Sequence, residues 1–160
     1  MSFKFIFIII AFIAAVSSQC LNNGILWQSD CYYFQTSNIG FANAEQACNE
    51  IGGSLASIHN SFTNAFVAQK ASLTFNNATV TDFWIGGTTM LNIGHWSWTD
   101  GTKFDFNELW DHRMSNDSIC IGMRMKDGVW NQQNCYQQRN FVCKLLSTPP
   151  TTTQPCKNGI

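Results

Sequence analysis

From Phe41 the chain reads FANAEQACNEIGG, with Phe41, Ala44, Ala47, Cys48 and Ile51 at helical spacing before a double glycine. This spacing predicts an amphipathic helix with a C-terminal stop and with Cys48 on or beside its buried face. A second helix is expected over FTNAFVAQKA, where Asn60 or Ser61 can cap the first turn by accepting from an unpaired backbone N–H. Upstream, CYYFQ is an aromatic, strand-like run. Downstream the apolar residues gather in short β-type runs (FWIGG, HWSWTDG, SICIGMRM, GVWNQ, NFVCKL) separated by polar loops rich in Gly, Asn and Asp. Helices first and strands afterwards predict an α+β domain with two helices, small antiparallel sheets and a long loop region. Loops of that length inside a compact domain are functional or tied down by cross-links. No internal repeat is present.

Both ends break the pattern. Met1 to Ser18 reads MSFKFIFIIIAFIAAVSS, with one Lys and an unbroken apolar run from Phe5 to Val16. That is the pattern of a secretory signal peptide, too short for a membrane span, with small residues suited to a cut before Gln19. From Leu146 the chain becomes Pro/Thr-rich, STPPTTTQPCKNGI, with almost nothing apolar to bury. This is expected to be a disordered, O-glycosylation-prone tail. The division is therefore signal peptide 1–18, one domain 19–146 and tail 147–160. The roughly 125 residues between the ends suffice for a single core. The product is expected to be secreted and extracellular, with no membrane span after signal cleavage.

The formal net charge is −1. A chain without a basic stripe lacks what phosphate backbones demand, which excludes a nucleic-acid partner. All seven cysteines (Cys20, Cys31, Cys48, Cys120, Cys135, Cys143, Cys156) follow the expected cut. In an oxidising compartment they read as three disulfides and one odd thiol. Spacing alone leaves the pairing open, and no close C-x-x-C pair or His partner supports zinc. Cys156, in the tail, is the candidate odd thiol. It links two chains into a dimer or carries a small thiol; both stay open. Sequons at Asn77 (NAT) and Asn116 (NDS) mark candidate N-glycosylation sites.

The order of Cys48, WIGG at Trp84 to Gly87, WSWTDG at Trp96 to Gly101, Cys120, GVWN at Gly128 to Asn131, Cys135 and FVC at Phe141 to Cys143 resembles the C-type lectin-like domain. The resemblance extends from Cys20 to about Leu145, nearly the whole predicted domain. It implies the pairs Cys48–Cys143 and Cys120–Cys135, with Cys20–Cys31 as the extra bridge of the family's long form. Trp84, Trp96, Trp98 and Trp130 are then expected in the core. Small secreted relatives, common in nematodes and other invertebrates, are associated with pathogen recognition, so the resemblance implies a glycan or protein ligand, a microbial surface among the candidates, and a role in innate immunity.

Sugar-binding members of the family hold calcium with a loop triplet of the Glu-Pro-Asn or Gln-Pro-Asp kind, a carboxylate just before the third cysteine of the domain, and an Asn-Asp pair after the tryptophan. Calcium takes six to eight oxygens, and its affinity rises with the number of charged ligands. Here the loop ELWDHRMSNDSI, Glu108 to Ile119, contains no proline, and the first proline of the chain is Pro149. Ser118 stands two residues before Cys120, next to Asp117, and the pair after Trp130 is Asn131-Gln132. Four amides, Asn131 to Asn134, fill the stretch that would otherwise carry charge. The residues thus disfavour calcium, and no cofactor or resident metal is expected. A glycan on Asn116 would crowd a sugar pocket in this loop.

Asp105, Glu108 and Asp111 also lie close in sequence and are the candidate for a displaced calcium cluster or an acid/base pair. Catalytic carboxylate pairs need burial to separate their pKa values, which a polar loop does not give. His59, His95 and His112 show neither HExxH spacing nor a G-x-S-x-G elbow. No enzymatic activity is expected. The candidate ligand-binding residues are Glu108, Trp110, Asp111, His112, Arg113, Asp117, Asn131 and Gln132, with Trp110 either a sugar- or protein-stacking platform or a structural tryptophan. The expected function is a secreted recognition module binding a glycan or protein without the family's usual calcium site. The alternatives are a calcium-dependent lectin with a non-standard site and an extracellular structural or matrix protein.

Overall fold

The computed structural model describes residues 20–75, 80–110 and 119–146. The expected signal peptide 1–18, the tail 147–160 with Cys156, both sequons at Asn77 and Asn116, and the loop candidates Asp111, His112, Arg113, Asp117 and Ser118 lie outside the described residues.

Two helices form where the apolar spacing places them. Helix α1 spans Phe41–Glu50 and buries Phe41, Ala44 and Cys48 on one face. It starts without a side-chain cap; the Phe41 N–H donates instead to the Cys135 carbonyl at 2.9 Å. Ile51, expected on the buried face, is 44% exposed, because the helix stops at Glu50 and the chain turns through Gly52 and Gly53. Helix α2 spans Ser61–Thr74, with Asn60 as its cap, accepting from the Thr63 N–H at 2.8 Å.

The strands are β1 (Ile25–Trp27), β2 (Asp30–Ile39), β3 (Ser54–Leu55), β4 (Asp82–Thr88), β5 (Ser97–Trp98), β6 (Ile119–Arg124), β7 (Trp130–Asn134) and β8 (Arg139–Leu146). Their path is β1-β2-β8-β4-β6-β7, with β3 on β8 and β5 on β4. The expected antiparallel pairing holds with one exception, and β2 contains the CYYFQ run expected as a strand ahead of the first helix. β1 and β2 precede α1, and β4 pairs with β8 in parallel at Trp84↔Phe141, so the sheet is mixed. The first and last strands of the domain are neighbours, β2 lying antiparallel to β8. A pairing across that sequence distance was invisible to local pattern. HWSWTDG contributes only the two residues of β5 to the ladder.

Two apolar clusters sit around this sheet. One joins α2 to Phe83, Ile85, Trp98, Ile121, Met123 and Trp130; the other joins α1 to Trp84, Phe141 and the two central disulfides. Trp84, Trp98 and Trp130 are fully buried as expected. Trp96 is only partly buried and stacks on Phe104 at 6.1 Å, because it precedes β5 rather than lying in the sheet.

The cysteines pair Cys20–Cys31, Cys48–Cys143 and Cys120–Cys135, the pairs the resemblance implies. Cys48–Cys143 closes 95 residues of chain and Cys120–Cys135 only 15. In the loop-closure account, removing the first by a double Cys→Ala change costs about 4–5 kcal/mol and removing the second about 3. Urea unfolding of the two variants measures this order; equal losses would mean that native-state contacts, not loop closure, set the contribution.

Candidate functional site

The β6–β7 hairpin is positioned by Trp130. Its indole Nε1 donates to Asn64 Oδ1 at 2.8 Å, and the same amide donates from Nδ2 to the Gly128 carbonyl at 3.0 Å. One buried Asn on α2 therefore holds both the first strand residue of β7 and the turn before it. Gly128 has φ +71°, and a Cβ there would stand 2.7 Å from Asn64 Nδ2, so only glycine suits the position. The Trp130 ring packs edge-on against Trp98, Phe104 and Phe106 at 5.5, 6.1 and 5.7 Å.

The Trp130 backbone then holds the start of the long loop. Its N–H donates to the Glu108 carbonyl at 2.9 Å and its carbonyl accepts from Trp110 N–H at 3.0 Å, with Leu109 bridged in parallel. Leu109 points into the core and Trp110 outwards, 5% and 75% exposed respectively. Of the two expectations for Trp110, the structure places it as an exposed ring. Arg124 lies over that ring, Cζ 5.8 Å from its centroid, in cation–π contact. Asp127 fixes the guanidinium from the other side, Oδ1 taking Nε at 3.0 Å and Oδ2 taking Nη2. The hydrogen bond from Arg124 holds the Asp127 carboxyl below the usual carboxylate range. Beside Arg124 opens a cavity of 560 Å³, lined also by Val80, Thr81, Met125 and Lys126. Arg124 was missed in the sequence, where it stood inside a β-type run with no signal of its surface role.

The amides of β7 separate into roles. Gln133 Nε2 donates to Asp82 Oδ2 at 3.1 Å, and Asn134 Oδ1 accepts from the Tyr136 N–H at 2.9 Å. Two of the four thus serve the strand and its turn. Asn131 and Gln132 pair with Gly122 and Ile121 across the hairpin, directly after the residue that holds Glu108. The backbones of Glu108 and Trp110 consequently meet at Trp130, while Asn131 and Gln132, next along β7, turn to opposite faces of the sheet. Tested against calcium, these described residues offer one carboxylate and two neutral amides. Asp111 and Asp117, the other carboxylates of the candidate set, lie outside the described residues. Among the described residues no group of three His, Cys, Asp or Glu is placed to hold a metal.

Asp105 does not join Glu108. It turns to His59, whose Nδ1 lies 2.7 Å from Asp105 Oδ1, and that hydrogen bond holds the Asp105 carboxyl below its usual range. His59 Nε2 contacts Ser57 Oγ at 3.1 Å and Thr102 Oγ1 at 3.2 Å. This Ser-His-Asp order resembles a hydrolase triad, and it was invisible in the sequence because the residues are scattered. Its proton accounting is different. Ser57 and Thr102 both donate to Asp100, at 2.5 Å each, so neither hydroxyl proton is directed at His59. Ser57 is 1% exposed and also receives Lys144 Nζ. A nucleophile needs an exposed oxygen whose proton the histidine takes, and Ser57 has neither property. The cluster ties β3, the turn after β5 and β8 together. His95 is exposed, away from this network.

The geometry defines a class: a disulfide-tied α+β recognition domain whose hairpin clasps a long loop. The Lectin C-type domain family matches residues 37–145, and the chain belongs to it. It is 31% identical over 132 residues to the galactose-specific lectin nattectin of Thalassophryne nattereri, covering 79% of this chain and 80% of the relative. The type-2 ice-structuring protein of Hemitripterus americanus is 33% identical over 119 residues, covering 72% and 68%. Among solved structures, the cow C-type carbohydrate-recognition domain of CD23, determined in the presence of a GlcNAc2Man3 oligosaccharide, superposes with a TM-score of 0.71 at 25% identity, covering 82% of this chain and 99% of that one. The chain is thus a lectin-like recognition module.

The polar cluster carries a pH prediction. Burial pushes the Asp100 carboxyl up, but hydrogen bonds from Ser57 and Thr102 and the Lys144 ammonium outweigh it and leave the group below its usual range. A depressed carboxyl contributes stability above its unfolded pKa, about 3.9, that is lost as pH falls through the folded value. Melting curves of the wild type and Asp100→Asn should therefore differ most near neutral pH, with the gap closing in acid. A gap independent of pH would show that Asp100 acts by packing alone.

Proposed function

We propose that this chain is a secreted, calcium-independent recognition module that takes a glycan on the face carrying Trp110. The observation that carries this reading is the exposed Trp110 ring, held by Arg124 and by the backbone of Trp130; the loop's lack of the family's proline triplet supports calcium independence. A large aromatic held rigid in water presents a flat apolar face at little entropic cost, which suits the C–H face of a sugar ring. Glu108, on the same side of buried Leu109 as Trp110, supplies an acceptor for a hydroxyl beside it. The similarity to a galactose-specific lectin supports a glycan over a protein ligand. The expected signal peptide supports export, and recognition of microbial surface glycans in innate immunity is the setting we infer. A protein ligand on the same face remains the alternative.

The test is a glycan array probed with the disulfide-intact protein, with calcium and with chelator, followed by calorimetry on the best ligand. Binding should survive chelation, and Trp110→Ala should weaken it by about 2 kcal/mol, roughly thirtyfold in Kd. Loss of binding in chelator would instead establish a calcium-dependent lectin with a non-standard ligand set.

A further inference from the structure

From Phe83 to Thr99 the chain carries no Asp, Glu, Lys or Arg. Strands β4 and β5 pair within this stretch through Gly87↔Trp98 and Thr88↔Ser97, which closes residues 89–96 into a hairpin loop. Its base is fixed. The Thr89 N–H donates to the Ile119 carbonyl at 3.0 Å, the Ile119 N–H to Thr89 Oγ1 at 3.1 Å, and the Met90 N–H to Thr88 Oγ1 at 3.1 Å. At the far end the His95 N–H donates to the Asn92 carbonyl at 2.9 Å, closing a turn with Ile93 and Gly94 at its corners. Gly94 has φ +79°, the value a type II turn requires at that position.

This well-held loop is apolar where it meets water. Met90, Leu91 and Ile93 are 45%, 64% and 74% exposed. Asn92 and His95 are exposed with them, so the tip is open on successive sides and projects rather than lining a groove. Apolar side chains clustered on a rigid turn stay hydrated at a cost until something covers them. Protein interfaces set an apolar centre inside a polar rim on an extended patch, and a narrow turn has no rim at its own level. A lipid headgroup layer closes around a projection instead, taking the side chains while the tip's backbone stays where water and phosphate satisfy it. Behind the tip the half-buried Trp96 ring stacks on Phe104 at 6.1 Å, an amphipathic aromatic of the kind membrane interfaces favour.

Charge selects the kind of lipid surface. The tip carries none. In the segment that follows, Asp100 pairs with Lys144 at 3.1 Å and Asp105 with His59 at 2.7 Å, so these two aspartates and the lysines Lys103 and Lys144 sum to zero. An anionic bilayer would gain little from Lys103 alone and would meet a chain of net charge −1. The complement to an uncharged tip on a balanced base is a zwitterionic surface.

We propose that the loop 89–96 is a membrane-docking tip that inserts Leu91 and Ile93 into a neutral, zwitterionic lipid surface without calcium. The inference does not rest on the glycan reading of Trp110.

The disulfide-intact protein, recovered from the medium of a secreting host, is floated with phosphatidylcholine vesicles in chelator at low and high sodium chloride. The expected result is saturable co-flotation that salt does not change. Leu91→Ser/Ile93→Ser should lower the partition coefficient about thirtyfold, through the loss of two half-buried aliphatic side chains. Both positions are exposed, so this variant should melt as wild type does. Ile93→Asp repeats the test with a loss of about tenfold should the double variant fail to fold. Trp110→Ala should leave flotation unchanged, which keeps this result separate from the array. The proposal is overturned by absence of co-flotation with phosphatidylcholine, by binding confined to phosphatidylglycerol vesicles and lost at high salt, by wild-type partitioning in the loop variants, or by loss of flotation in Trp110→Ala.

Discussion

The burial of Trp130 is the constraint from which the recognition face follows. Its indole must find an acceptor once it is out of water, and Asn64 on α2 provides one. That single requirement couples the second helix to the β6–β7 hairpin, across 66 residues of sequence. Because the same Asn also holds the Gly128 carbonyl, the hairpin turn cannot shift without leaving two buried polar groups unmet. The backbone of Trp130 then transmits this rigidity outwards to Glu108 and Trp110. A surface ring in a long polar loop is thereby given the precision of a core residue.

Much of the scaffold was legible because it rests on local signals. Helix α1 follows from the spacing of Phe41, Ala44 and Cys48, and α2 from the Asn60 cap, both of which depend only on neighbours a few residues away. The order of the tryptophan and cysteine motifs was enough for the family and for the three bridges. What stayed hidden is non-local. The β2–β8 and parallel β4–β8 pairings join distant stretches, and no periodicity encodes a partner. Ile51 kept the helical spacing but fell one position past the last turn, so the same pattern predicted burial that geometry does not deliver.

The site shows the same division. Glu108 and Trp110 were candidates in the sequence, and the backbone of Trp130 holds both. The amides of β7 looked in the sequence like the remains of a metal site, and Gln133 and Asn134 prove to have other work: Gln133 braces Asp82 and Asn134 closes a turn. Asp105, grouped with Glu108 by proximity in sequence, belongs to His59 instead. Arg124 and Arg139 gave no signal at all, because their significance lies in which ring or carboxylate each meets. Short-range pattern finds residues that match a motif; it does not find those whose chemistry is conferred by a partner.

The contact between Arg124 and Trp110 also determines what the ring can select. With a guanidinium lying over one side, only the other side is open to a visitor, so the ring can be leaned upon but cannot form half of a sandwich around an inserted group. The same positive charge already draws on the ring's electron density, leaving the outer side a poorer seat for a second cation. Cationic visitors such as protonated amines are therefore discriminated against at this surface before any hydrogen bond is made. Neutral rings, whose attraction is dispersion and the exclusion of water, suffer no such penalty.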